Sequence, residues 1–265
     1  MNDEFTYKLT GLAMEVHREL GPGLDEKFCH ELLSRKLVVA ELTHLSRPRR
    51  ERVHCGLVAD IFEPDILFPE KLVVELKYLT AGFDGEHFLQ LICYLKFWKI
   101  RTGLLFDFGK ESLAHRRIEF AESPFVPAES EAMLAGLTAG AAGAAAARRV
   151  AAACSVLASH GFGYRDKIYI GLLTAEVLAE GACCQSNVLA VVRSGEMMLG
   201  QTTCPCLLVD ELVAVRVLAL RQSVTTADLA TLRTYLRLLN LPCGLILNFN
   251  RTALDLRWVS RPDQN

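Results

Sequence analysis

The chain has 265 residues, 51% of them hydrophobic, with a formal net charge of −2 and a pI near 6.4. That length and apolar content suffice for two domains of ordinary size, each with its own core. The near-neutral balance excludes a protein held on nucleic acid by bulk positive charge, while leaving room for a local basic track.

The acidic start Met1-Asn2-Asp3-Glu4 lacks the pattern of a secretory signal and leads into an amphipathic helix, so a cytoplasmic location is expected. Gly21-Pro22-Gly23 stops that helix, because the glycines allow unusual φ and Pro22 cannot continue it. His17, on this helix, reads as a capping or packing residue, with an approach to the site as the alternative. Gly23-Leu24-Asp25-Glu26-Lys27-Phe28-Cys29 opens a second helix carrying Glu26, with His30 four residues on and in reach of a hydrogen bond to it. Arg47, Arg49, Arg50 and Arg52 follow. They either grip phosphates or form a solvated run that blocks edge pairing.

Pro64-Asp65 and Glu75-Leu76-Lys77 form the most informative stretch. Ile66–Phe68 and Leu72–Lys77 read as two strands around a short turn at Pro69-Glu70-Lys71. A turn centred on Glu70 sets Phe68 opposite Leu72 and Asp65 opposite Glu75. Side chains alternate along a strand, so Glu75 and Lys77 share one face while Val74 and Leu76 take the other. Two close carboxylates repel unless a cation lies between them. Oxygen donors of this kind suit Mg²⁺ or Mn²⁺, which would acidify a bound water for phosphodiester hydrolysis with Lys77 stabilising the developing charge. The competing reading is a surface hairpin with solvated charges.

Downstream, His87, Gln90 and Tyr94 fall at i, i+3 and i+7 of a helix, on one face that would lie beside the metal. Trp98 reads as core, and Thr102–Phe108 as a buried strand. Residues 123–147, opened by Pro124 and Pro127, read as a connection, with the Ala run before Arg148-Arg149 open to being already helix that leads into the second copy. Its uncharged part, Met133–Ala147, is shorter than the ~20 residues that span a bilayer, so no membrane is expected as partner.

These motifs together resemble a known family. Glu15-Val16-His17-Arg18-Glu19-Leu20-Gly21-Pro22-Gly23, the Gly23–Cys29 heptad, Pro64-Asp65…Glu75-Leu76-Lys77 and Gln90…Tyr94-Leu95 look like the bacterial GxxExxY proteins of the PD-(D/E)XK, or restriction-endonuclease-like, superfamily. The resemblance covers roughly Thr6 to Glu119 and departs at Cys29, where the family carries tyrosine. It implies an α/β core of an N-terminal helix, a three-stranded antiparallel meander, a helix and a further strand. It implies that Asp65 and Glu75 hold metal, that Lys77 assists, that Glu26 supports from the helix, and that Gln90 and Tyr94 contribute from the later one.

The second half repeats the first. Gly163-Tyr164-Arg165-Asp166-Lys167-Ile168-Tyr169 restates the heptad 140 residues on, and Leu104–Phe108 matches Leu245–Phe249 at 141. Tyr94 matches Tyr235, and Leu72-Val73-Val74 matches Leu212-Val213-Ala214. On that comparison Asp65, Glu75 and Lys77 become Pro205, Val215 and Val217, and Gln90 becomes Thr231. Asp210 and Glu211 fall in a turn. Tyr169 and Tyr235 read as packing at least as much as catalysis. The expected organisation is therefore two tandem restriction-endonuclease-like domains, 1–122 and 148–265, the second a degenerate pseudo-nuclease in an intramolecular pseudo-dimer, with a homodimer also open.

Nine cysteines include Cys183, Cys184, Cys204 and Cys206, which a turn at Arg193-Ser194-Gly195-Glu196 would gather, with Cys183 opposite Cys206. No C-x₂-C pair is present among the four, and buried small hydrophobes are the expected role. The overall expectation is a Mg²⁺-dependent (or Mn²⁺-dependent) nuclease with one site in the first domain, acting on nucleic acid, with DNA favoured and RNA left open. The alternative is a non-catalytic nucleic-acid- or protein-binding module with a vestigial site.

Overall fold

The computed structural model describes residues 3–122, 140–219, 222–250 and 252–261. They divide into two compact units, Met1–Glu51 with Ile61–Ala121, and Arg52–Asp60 with Glu122–Asn265.

In unit 1, α1 (Asp3–Leu20) and α2 (Glu26–Val39) precede the short strand β1 (Leu45–Ser46). Gly21 and Gly23, at φ +67° and +106°, make the turn between the helices in the left-handed region that glycine tolerates. Strands β2 (Arg50–His54) and β3 (Leu57–Phe62) pair only with each other. Next come β4 (Ile66–Phe68), β5 (Leu72–Lys77), α3 (Gly85–Trp98), β6 (Thr102–Asp107) and β7 (Ala114–Glu119). The sheet runs β1-β4-β5-β6-β7, antiparallel except for the parallel β5–β6 pair across the α3 crossover. The β4–β5 turn centres on Glu70 at φ +61°, with Phe68 paired to Leu72 and Ile66 to Val74.

Period-2 alternation gives β5 two dry faces. Leu72, Val74 and Leu76 pack with Leu9, Ala13, Leu33 and Leu37 of α1 and α2. Val73 packs with Leu91 and Leu95 of α3. Glu75 and Lys77 are in phase with Val73, so they emerge on the α3 side. The helix comes very close there, because a Cβ on Gly103 of β6 would lie 2.7 Å from Leu91.

Unit 2 repeats the plan: α4 (Ala141–His160), α5 (Asp166–Ala179), β8 (Cys184–Ser194), β9 (Met197–Val209), β10 (Val213–Ala219), α6 (Thr226–Leu238), β11 (Cys243–Phe249) and β12 (Leu254–Ser260). Its sheet order is β12-β11-β10-β9-β8, again with one parallel pair, β10–β11. By length and hydropathy α4 is apolar enough to cross a membrane, yet half of that window is buried within the protein, and its Arg149 pairs with Glu180 at 2.5 Å.

Four expectations change. The connection is shorter than 123–147, since α4 begins at Ala141; residues 123–139 lie outside those described. The expected meander holds only for β1, β4 and β5, because residues 50–62 form a separate hairpin whose central part, Arg52–Asp60, groups with unit 2. Cys183 does not face Cys206, because β8 pairs Cys184 with Val209 and Val188 with Cys204.

The fourth change concerns the register of the repeat. Val73 pairs with Gly103 in unit 1 and Ala214 with Gly244 in unit 2, while Ile66–Val74 corresponds to Leu207–Val215. The offset over these strands is therefore 141, not 140. The additional residue lies in the β8–β9 hairpin, whose pairing is irregular at two places, between Ser186 and Val188 and between Val192 and Arg193. Pro64-Asp65 thus corresponds to Pro205-Cys206, Glu75 to Arg216 and Lys77 to Leu218. A one-residue slip exchanges the faces of a strand, and only the offset of 141 places Cys206, Ala214 and Leu218 on the α6 side, where they pack with Leu232 and Leu236.

Candidate active site

The polar patch of unit 1 grows from the end of β5. Asp65 precedes β4 and is buried, as is Glu75. The Leu76 backbone N–H donates to Asp65 Oδ2 at 2.8 Å, fixing this carboxylate against β5. Arg47 Nε lies 3.6 Å from Asp65 Oδ1, and the Arg47 N–H donates to the Asp65 carbonyl at 2.9 Å. His30 Nε2 meets the same carbonyl at 3.0 Å and Ser46 Oγ at 3.3 Å. His30 therefore anchors the backbone of Asp65, a correction to the expectation that it bonds Glu26. A backbone carbonyl 35 residues away leaves no mark on side-chain spacing.

Glu75 Oε1 accepts from Lys77 Nζ and from Gln90 Nε2, both at 2.6 Å. Glu75 Oε2 is buried and has no hydrogen-bond partner among the described residues. Leaving a buried carboxylate oxygen without a partner costs about 1–3 kcal/mol or more, and a cation ligated by that oxygen removes the penalty. Burial pushes the Glu75 carboxyl up to about 8, with Asp65 and Glu26 adding to the rise against the pull of Lys77. Glu26, at the start of α2, is also raised, first by burial and then by Asp65, against Lys77 and Arg47. Burial opposes the charge on Lys77, but Glu75, Glu26 and Asp65 outweigh it and raise its pKa. Lys77 is thus held as an ammonium ion.

From α3, Gln90 reaches Glu75 and donates at 3.0 Å to Tyr94 Oη, which itself donates to the Glu63 carbonyl at 3.2 Å. His87 is drawn away: it is the third residue of a capping box, its Nδ1 accepting from the Asp84 N–H at 3.1 Å. Glu26, Asp65, Glu75, Lys77, Gln90 and Tyr94 are linked by these contacts and couplings, and Arg47 joins them. Arg49 and Arg50 are exposed. Arg52 groups with unit 2, where it donates to Tyr164 Oη at 2.7 Å.

The donor set fits a hard divalent cation. Asp65, Glu75 and Glu26 offer carboxylate oxygens only, one of them buried and unpartnered, with no thiol or imidazole nitrogen in the set. Lys77 and Arg47 balance part of the negative charge and can face a phosphate.

The matching positions of unit 2 differ. Cys206 and Leu218 are buried in an apolar cluster, and Arg216 pairs with Asp228 at 3.0 Å. Tyr169 stacks on Phe249 with centroids 4.0 Å apart and donates to the Gly161 carbonyl at 2.8 Å, which is a packing role. In unit 1, Cys29 fills the corresponding site in the core with Phe108. Cys204 and Cys206 are core residues, and among the described residues the four cysteines expected to cluster form no metal-binding group.

No curated protein and no solved structure matches the chain. The family model described as PD-(D/E)XK nuclease superfamily matches twice, over residues 3–118 and 145–259, one match for each copy of the helix–sheet plan. With both copies matched over most of its length, the chain belongs to the PD-(D/E)XK nuclease superfamily.

Proposed function

We propose that the protein is a divalent-metal-dependent nuclease of the GxxExxY type, with one active site in unit 1 and a non-catalytic second unit. The observation that carries this reading is the buried, unpartnered Glu75 Oε2 beside Asp65, with Lys77 on the other oxygen of the same carboxylate. Asp65, Glu75 and Glu26 hold Mg²⁺ or Mn²⁺. A bound ion of this kind supplies Lewis-acid polarisation of the scissile phosphate and a water of lowered pKa.

The protein's own groups do the rest. Gln90 and the Leu76 N–H hold Glu75 and Asp65 in place. Lys77, kept protonated by the carboxylates around it, orients the attacking water and stabilises charge developing on the phosphate. Arg47 faces the incoming phosphate from the Asp65 side. Unit 2 has Cys206, Arg216 and Leu218 in place of the triad and cannot ligate a hard cation there.

One site per chain makes single-strand cuts, and DNA is the proposed substrate over RNA. The test is incubation of the full chain with supercoiled plasmid, single-stranded DNA and RNA in Mg²⁺ or Mn²⁺. The expected result is nicking of plasmid that EDTA stops and that Asp65→Ala abolishes. Cleavage unchanged in Asp65→Ala would overturn the proposal. So would nucleic-acid binding without cleavage, equal in wild type and variant, which is the behaviour of a non-catalytic module.

A further inference from the structure

A second constellation lies within unit 2, where the tip of the β2–β3 hairpin rests along α5. Lys167 pairs with Asp60 at 3.1 Å. One turn on, Gly171 has no side chain because the Ala59 carbonyl occupies that space; any Cβ there would collide with it. A further turn brings Glu176 under the hairpin turn. That turn is tight, with Cys55 and Gly56 at φ +48° and +77°, the conformation of a two-residue hairpin loop. It sets two adjacent ligand types, the imidazole of His54 and the thiol of Cys55, over one carboxylate. His54 Nε2 lies 2.5 Å from Glu176 Oε2, and Cys55 Sγ donates to the same oxygen at 3.2 Å. The three ligand atoms all lie within 4.8 Å of one another.

From this geometry we infer that His54 Nε2, Cys55 Sγ and a Glu176 carboxylate oxygen form a Zn²⁺ site that fastens the hairpin turn to α5. Bonds of about 2.0–2.3 Å to N, O and S place tetrahedral ligands roughly 3.3–3.7 Å apart, so only a small opening of the present hydrogen bonds is needed. A thiolate, an imidazole and a carboxylate suit Zn²⁺ and disfavour Mg²⁺.

The surroundings are those of a supported ligand set. The other nitrogen of His54, Nδ1, meets His160 Nε2 at 3.0 Å, which holds the ring with Nε2 towards the site. Glu176 also accepts a hydrogen bond from Ser155, a third group that holds this carboxylate beside His54 and Cys55. Cys55 is exposed, which gives an ion a path in and leaves the fourth position to water. Binding replaces the Cys55 Sγ–H bond with an Sγ–Zn bond, and the proton passes to buffer. None of this depends on the nuclease reading, whose oxygen donors lie in unit 1.

Cobalt(II) titration of the full chain, read by near-ultraviolet sulfur-to-cobalt charge-transfer absorption, tests the site. Wild type will develop the band to one equivalent, and added Zn²⁺ will bleach it. Cys55→Ser will lack the band while keeping its far-ultraviolet circular dichroism. His160→Gln will keep the band with affinity weakened by about 10–100-fold, the usual effect of losing a group that orients a ligand. Zn²⁺ will raise the melting temperature of wild type and leave that of Cys55→Ser unchanged. Absence of a band in wild type, or an undiminished band in Cys55→Ser, overturns the assignment; the second outcome would place any cobalt on other thiols.

Discussion

Lys77→Ala will lower cleavage by about 10²–10³-fold, the usual effect of removing one preorganised group facing transition-state charge, while Mn²⁺ still binds. Lys77 touches Glu75 Oε1 and does not contribute a ligand oxygen, so the carboxylates survive its loss. The substitution removes a cation that competes with metal for Glu75, which argues against a loss of metal affinity. Lys77→Arg will recover only part of the activity, because a guanidinium is a broad, planar donor where the site has shaped a place for a compact ammonium. Parallel metal titration and single-turnover cleavage separate the two effects. Wild-type cleavage by Lys77→Ala would remove this residue from the reaction, and joint loss of metal binding would show that it serves to assemble the site.

Glu75→Gln will abolish cleavage and stabilise the metal-free protein at alkaline pH. The folded state raises the Glu75 carboxyl from its ordinary 4.5 to about 8, mainly through burial and then through Asp65. A raised carboxyl pKa means that the folded state holds a proton that the unfolded chain has released. The associated stability is therefore full below about pH 4.5 and is lost as pH rises towards about 8, by at most about 1.4 kcal/mol per unit. The amide keeps an oxygen for Lys77 and Gln90 and removes the ionisation. Thermal melts in EDTA will show wild type weakening across this window and Glu75→Gln with a flatter profile. Identical pH profiles would show that Glu75 does not carry this cost. The expected trade, stability gained where activity is lost, is that of a site strained to receive a cation.

The legible part of the site was local. Asp65, Glu75 and Lys77 sit on one hairpin, where a three-residue turn and period-2 alternation determine which side chains converge. Gln90 and Tyr94 followed from helical spacing in the crossover between two parallel strands. The domain plan was legible because the Gly23 and Gly163 heptads and the Leu104 and Leu245 strands repeat in order.

What stayed hidden was long-range or depended on a single residue. One extra residue in the irregular β8–β9 hairpin shifts the repeat by one, and apolar strands look alike in either register: Leu72-Val73-Val74 resembles both Leu212-Val213-Ala214 and Val213-Ala214-Val215. Only the pairing in the sheet decides, and it aligns Pro64-Asp65 with Pro205-Cys206. His30 acts through a backbone carbonyl that has no side-chain signature. The Arg47–Arg52 run divides between units because residues 52–60 group with unit 2, a matter of tertiary packing rather than of local pattern. For the same reason His54 and Cys55 meet a carboxylate 121 residues beyond Cys55.

The carboxylates at the end of β5 are tested most directly by calorimetric titration of Mn²⁺ into the full chain, wild type beside Asp65→Ala, each also carrying Cys55→Ser so that the thiol-containing site is absent. A Mn²⁺-binding event will appear with Asp65 present and disappear in the Asp65→Ala variant while the fold is retained. Binding that persists unchanged in Asp65→Ala would contradict it, since the carboxylates at the end of β5 would then not be the ligands.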